Sequence, residues 1–139
     1  MLCIVPDTNI LISAFIVEGN EYRLIEKCFK REILLITPVD IIGEFEEVAL
    51  RPKFGFTEEE IDEFVNAIIK ASAVVMPRVK VTGVCRDPDD EKVIEAAVEG
   101  RASFIVSGDK DMLILEKIRG IRIVSAGELL RLAESLRNI

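Results

Sequence analysis

Short apolar runs rich in β-branched residues alternate along this chain with longer stretches in which apolar residues recur every three or four positions. A short continuous apolar run is typical of a buried strand, and the wider spacing is typical of an amphipathic helix. Their alternation predicts a parallel sheet with helices packed on it. The predicted strands are Leu2–Pro6, Ile33–Ile36, Ala73–Met76 (with a less regular extension, Val79–Val84), Ser103–Ser107 and Ile121–Val124.

Capping residues and helix breakers mark where the predicted helices begin and end. The predicted helices run from the Asp7-Thr8-Asn9 cap to about Val17, over Glu21–Arg31 with Asn20 as cap, from Thr37-Pro38 with proline first, over Glu58–Ser72 behind a Thr57/Glu60 capping box, from Asp87 to Glu99 with Gly100 as the stop, from Asp109 to Lys117, and from a Ser125/Glu128 capping box to the C-terminus. We therefore predict one domain over residues 1–139. Its fold is three-layer α/β/α with a mainly parallel sheet of about five strands.

Composition narrows the classes of protein to consider. The 139 residues are half apolar, yet no apolar run approaches the roughly 20 residues of a membrane span. The N-terminus lacks the charged region of a signal peptide, and the three cysteines form no CxxC pair. These features predict a cytoplasmic protein that does not enter a membrane. Because the chain has no histidine, His-based catalysis and His metal ligands are excluded.

Four acidic positions adjoin four separate apolar segments: Asp7, Glu44, Asp90 and Asp109. Functional groups of open parallel sheets gather just beyond the carboxyl ends of the strands. Asp7 and Asp109 follow predicted strands directly, and all four acids can face that edge of the sheet. Clustered carboxylates repel one another, and a hard divalent cation bound through oxygen is the usual stabilising partner. The pattern therefore predicts a metal site, and a net charge of −7 is compatible with nucleic-acid chemistry if several of these charges bind metal.

Each acid also has a purely structural interpretation. Asp7 and Asp109 could act only as helix caps, and the DPDD cluster before Asp90 could only complement a helix dipole. Asp111 competes with Asp109 for the fourth position. Glu44 is the candidate on its helix because it borders the apolar face, where a carboxylate needs a partner.

Three blocks of sequence resemble the PIN domain family. PDTNILISAF resembles its first block, TPVDIIGEFEEVALRPKF its second, and DPDDEKVIEAAVEGRASFIVSGDKDMLIL its third and fourth, in the form found in VapC-like toxins. The resemblance implies a ribonuclease that depends on Mg²⁺ or Mn²⁺, commonly a homodimer and often inhibited by a cognate antitoxin. Carried over by position, its catalytic acids are Asp7, Glu44, Asp90 and Asp109, with Asp7, Asp90, Asp109 and Asp111 as metal ligands.

The same resemblance assigns supporting roles to Asn9 and Ser107. Arg51 and Lys53 could contact the phosphate backbone of RNA, although a solvated loop is an equally good interpretation. The alternative function is a PIN-fold binding module for a protein or RNA partner, with weak or no nuclease activity. A phosphatase of the haloacid dehalogenase type is disfavoured because Asn9 stands where that class has its second aspartate.

Overall fold

The computed structural model describes residues 2–137, which form a single mixed sheet covered by helices. The strands are β1 (Cys3–Pro6), β2 (Leu34–Pro38), β3 (Ser72–Val75), β4 (Phe104–Val106), β5 (Lys117–Ile118) and β6 (Ile121–Val124). The helices are α1 (Thr8–Ile16), α2 (Asn20–Phe29), α3 (Val39–Ala49), α4 (Glu58–Ala71), α5 (Glu91–Gly100), α6 (Lys110–Leu113) and α7 (Ala126–Arg137). Short 3-10 turns lie at Pro52–Phe54 and Pro88–Asp90.

The sheet has the order β3-β2-β1-β4-β6-β5, and every neighbouring pair is parallel except β5 with β6. Strands β2 and β3 are added on one side of β1, and β4 then pairs with the other side of β1. Right-handed crossovers change sheet face when the direction of strand addition reverses. Accordingly, α5 packs across strands β1 to β4. The other long helices form a separate group: α1 to α4 pack on one another, and α7 packs on α2. The predicted three-layer fold with a mainly parallel sheet is confirmed.

Apolar side chains of the central strands fill the core between these layers. Ile4, Val5 and Ile105 are completely buried, which explains why their segments are continuously apolar rather than alternating. No helix within residues 2–137 is long and apolar enough to cross a membrane.

Several predicted boundaries were wrong for identifiable reasons. Thr37 and Pro38 are the last residues of β2, paired with Val74 and Val75, and helix α3 begins only at Val39. The helix predicted to reach Lys117 is a single turn, because the chain reverses there into the antiparallel pair β5–β6. The continuation of the last helix to position 139 lies outside the described residues.

Gly100 does not stop α5, although a glycine at a helix end usually does. It is the last helical residue, and Arg101 adopts the left-handed conformation that ends the helix, with φ 54°. A Cβ at position 100 would lie 2.7 Å from Cδ1 of Ile36 on β2. Gly100 is therefore required for the close approach of α5 to the sheet.

Candidate active site

The adjacent carboxyl ends of β1 and β4 form the base of the site. Pro6 pairs with Val106, so Asp7 and Ser107 leave the sheet side by side. Because strands are added on opposite sides of β1, this is the point where ligands bind in open α/β sheets. Asp7 caps helix α1: its Oδ1 accepts a hydrogen bond of 3.0 Å from the N–H of Ile10.

Ser107 connects two of the predicted acids. Its side chain is fully buried, and its hydroxyl donates a hydrogen bond of 2.5 Å to Oδ2 of Asp7. Oγ of Ser107 in turn accepts a hydrogen bond of 3.0 Å from the N–H of Asp109. Ser107 thus fixes the Asp7 carboxylate against the turn that carries Asp109.

Burial dominates the electrostatics of Asp7, which is only 6% exposed. Loss of hydration raises the pKa of Asp7, and the negative charges of Asp109 and Glu44 raise it further. Hydrogen bonds from Ser107 and Ile10 act in the opposite direction but do not cancel the rise. The ionised form of Asp7 is therefore held in an unfavourable environment.

Asp90 lies in a similar environment at the start of α5. Partial burial raises the pKa of Asp90 to about 6, and the charges of Asp109, Asp87, Asp7 and Asp89 contribute to the rise. The charge of Asp109 acts on both Asp7 and Asp90, and that of Asp7 acts on Asp90, so the three carboxylates share one electrostatic site. Carboxylates with raised pKa values that gather in a cleft are typical of functional sites.

These side chains line one cleft of about 140 Å³. The predicted residues in its wall are Asp7, Asn9, Glu44, Asp90 and Asp109. The sequence interpretation did not assign the remaining wall residues to the site: Thr8, Ile41, Asp87, Asp89 and Val93. Glu44 reaches the cleft from α3, beside the buried Ile41, as its position on the apolar border predicted.

The donor chemistry of the cleft fits a hard divalent cation, because all its acidic ligands are oxygen donors. In addition, Oγ1 of Thr8 is buried without a hydrogen-bond partner in the described structure, so the wall has an unused polar atom. As the side chains lie, no three Asp, Glu or Cys groups of residues 2–137 converge on a single point. Binding of a metal would therefore require rotation of carboxylates that already share the cleft.

Four predicted residues lie outside the cleft wall: the buried Ser107, and Asp111, Arg51 and Lys53. Asp111 is exposed, donates its N–H to Oδ1 of Asp109 at 2.8 Å, and lies 4.0 Å from the guanidinium of Arg86. Arg51 and Lys53 are exposed in the turn after α3, where Nζ of Lys53 lies 5.0 Å from the ring centroid of Phe54. Asp109 thus lines the cleft whereas Asp111 does not, and the side chains of Arg51 and Lys53 are also absent from its wall.

The sequence interpretation gave no role to Glu91, the residue after Asp90, although the structure buries it beside the site. Its side chain is 7% exposed, and its Oε2 accepts hydrogen bonds from the N–H groups of Val84 at 2.8 Å and Cys85 at 3.3 Å. A glutamate at the start of a helix is usually explained by the helix dipole. The sequence does contain one indication of this role: glutamates recur every four positions at 91, 95 and 99, after a segment that has no regular apolar pattern.

Comparison with known proteins identifies the family of this chain. A family described as PIN domain matches residues 3–111. The uncharacterised protein MJ1680 of Methanocaldococcus jannaschii is 34% identical over 116 residues, which cover 81% of this chain and 74% of that protein. A chain of the crystal structure of VapBC2 from Rickettsia felis, bound to a DNA fragment from their promoter, superimposes with a TM-score of 0.63 at 13% identity, covering 88% of this chain and 97% of that one. The last likeness shows the fold alone, but the match over most of the sequence shows that this chain belongs to the PIN domain family.

Proposed function

We propose that this protein is an endoribonuclease that hydrolyses phosphodiester bonds of RNA with Mg²⁺ or Mn²⁺. One observation carries the proposal: carboxylates from four segments far apart in sequence line a single cleft at the end of the sheet. The raised pKa values of Asp7 and Asp90 indicate that their charges are not compensated within the protein. A divalent cation would offset that repulsion and hold the acids in their ionised forms.

The residues of the cleft divide into ligands and supporting groups. Asp7, Asp90 and Asp109 would hold the cation, with Asp111 as an alternative partner if the turn at 109–111 rotates. Glu44 would orient the attacking water from α3, and Ser107 keeps Asp7 in place. When bound, the cation supplies charge stabilisation at the phosphoryl oxygens and makes a coordinated water more acidic.

The chain itself supplies no good nucleophile near the cleft. Burial and nearby carboxylates raise the pKa of the Cys85 thiol to about 11, so it stays protonated at neutral pH. The absence of histidine from the sequence removes the usual base for a serine. Direct attack by water is therefore the reaction best supported by these residues.

RNA cleavage by the purified protein tests the proposal. A panel of structured RNAs is incubated with Mg²⁺, Mn²⁺ or EDTA, and the wild type is compared with Asp7→Asn and with Asp62→Asn, which alters an exposed acid on α4. We expect metal-dependent cutting by the wild type and Asp62→Asn, and loss of at least 100-fold in Asp7→Asn. Cutting that survives Asp7→Asn or EDTA would refute the assignment. Absence of cutting would favour the binding-module alternative.

We further infer that the protein acts as the toxin of a toxin–antitoxin pair and forms a homodimer. The support is the likeness in fold to a chain of VapBC2, together with exposed apolar side chains such as Phe29, Ile69 and Val74 that a partner could cover. Expression of the wild type in a bacterial host should arrest growth, whereas Asp7→Asn should not. Light scattering of the purified protein measures the dimer directly.

A further inference from the structure

The segment between β3 and α5 is attached to α5 by three glutamates. Residues 76–87 contain no helix or strand, so their N–H groups have no partners within regular structure. The N–H of Arg78 donates to Glu99 at 2.8 Å, that of Val81 to Glu95 at 2.9 Å, and that of Val84 to Glu91 at 2.8 Å. We call residues 78–85 the strap.

The three glutamates lie four residues apart and therefore share one face of α5. Each contributes a carboxylate to a backbone N–H, a bond stronger than one between neutral groups. Their environments differ: Glu91 is buried and bonds two N–H groups, whereas Glu99 is exposed. The strap is consequently held most firmly at its end nearest the cleft.

That end adjoins the residues that form the cleft. Cys85 is two residues before Asp87, and Asp87, Asp89 and Asp90 lie in the wall of the cleft. Sγ of Cys85 also lies 3.8 Å from Sδ of Met112, on the helix that follows Asp109. A change at the strap end therefore affects the segment that carries Asp90 and the contact of that segment with α6.

We propose that Glu91 is a positioning residue for the cleft: by bonding the N–H groups of Val84 and Cys85, it holds the turn that presents Asp90. Glu91 is not itself in the cleft wall and acts only through this turn. The proposal rests on the proposed function, because its consequence for activity is expressed through metal affinity. It requires two effects of losing the Glu91 carboxylate: a looser strap end and weaker metal binding.

The test uses Mn²⁺ alone as the probe and compares the wild type with Glu91→Ala, Glu91→Gln and Glu99→Ala. Calorimetry measures Mn²⁺ affinity, and hydrogen exchange followed by mass spectrometry measures protection of the strap. Glu91→Gln keeps an acceptor oxygen at the same position, and Glu99→Ala removes the same type of bond at the far end of the strap. Circular dichroism verifies that every variant is folded.

We expect Glu91→Ala to weaken Mn²⁺ binding by about 10- to 100-fold, the usual effect of losing a group that orients metal ligands, and to accelerate exchange at 82–90. Glu91→Gln should lie within about threefold of the wild type, and Glu99→Ala should accelerate exchange near Arg78 without changing Mn²⁺ affinity. Unchanged affinity or unchanged exchange in Glu91→Ala, with a wild type that binds Mn²⁺, would overturn the positioning role alone. A wild type that binds no Mn²⁺ would overturn the proposed metal-dependent function, and with it the role of Glu91 in metal affinity.

Discussion

Replacing Ser107 by alanine removes two hydrogen bonds at the point where β1 and β4 end. The hydroxyl donates to the buried carboxylate of Asp7 and accepts from the N–H of Asp109. The first bond is the more important, because the Asp7 carboxylate is 6% exposed and, among residues 2–137, retains only the N–H of Ile10 as a protein donor. We expect the metal-free variant to fold and to be measurably less stable.

The size of the loss follows from the charge on Asp7. A hydrogen bond to a charged group contributes about 1.5–3 kcal/mol, and an ordinary neutral bond about 1 kcal/mol. Losing one bond of each kind should therefore make unfolding at pH 8 easier by about 2.5–4 kcal/mol. For a chain of 139 residues this corresponds to a fall in Tm of roughly 8–16 °C.

The loss should depend on pH in a defined direction. Burial raises the pKa of Asp7 above its unfolded value, and the bond from Ser107 opposes that rise. Without Ser107 the folded pKa moves higher, so the variant loses more stability than the wild type as pH increases from about 4 through the folded pKa values. The difference should shrink to about 2 kcal/mol near pH 4, where more of the folded molecules carry a protonated Asp7 and the lost bonds join neutral groups.

Urea unfolding measures this difference. It is followed by circular dichroism because the chain has no tryptophan whose fluorescence could be followed. Ser103→Ala is the matched control: its hydroxyl accepts a bond of 3.3 Å from the N–H of Cys3 beside β4, but in an exposed position. It should change the unfolding free energy by less than about 0.5 kcal/mol. An effect of Ser107→Ala no larger than that of the control, or independent of pH, would refute the reasoning.

Three further predictions test other parts of the account. Asp90→Asn should raise the Tm of the metal-free protein at pH 8 but not at pH 4. The pKa of Asp90 is raised to about 6, so its charge destabilises the fold only above that pH. Solvent screening limits the gain to about 1 kcal/mol. Gly100→Ala should lower the unfolding free energy by about 1 kcal/mol or more, because its Cβ would crowd Ile36, whereas Gly43→Ala, with open space in α3, should raise it by about 0.5–1 kcal/mol. Thr57→Ala should cost about 1 kcal/mol by removing the cap of α4. Thermal melts check all three, and equal effects at positions 43 and 100 would contradict the packing argument.

The central part of the fold could be predicted because local and long-range signals agree there. The apolar runs before Asp7 and before Ser107 are short, continuous and followed by capping residues, so strand, turn and helix start are all encoded within a few positions. Once two such strands are parallel, their following acids must lie at one edge of the sheet. The candidate site follows from this regularity.

Features that depend on contacts between distant segments could not be predicted in the same way. Gly100 has the sequence signature of a helix stop, and only the approach of Ile36 reveals its packing role. Glu91 has the signature of a solvated first-turn acid, and only the irregular strap beside α5 explains its burial. The pair β5–β6 is too short to have a periodic pattern, and its formation depends on residues with positive φ such as Glu116 and Arg119.

The central claim is that Asp7, Asp90 and Asp109 together bind a divalent cation in the cleft at the ends of β1 and β4. The most direct measurement is an anomalous difference map from crystals of the protein grown with Mn²⁺. We predict a peak in the cleft, within about 2.0–2.3 Å of carboxylate oxygens from at least two of these residues. A well-ordered cleft without a peak at millimolar Mn²⁺, or a peak bound only by residues elsewhere on the surface, would contradict the account.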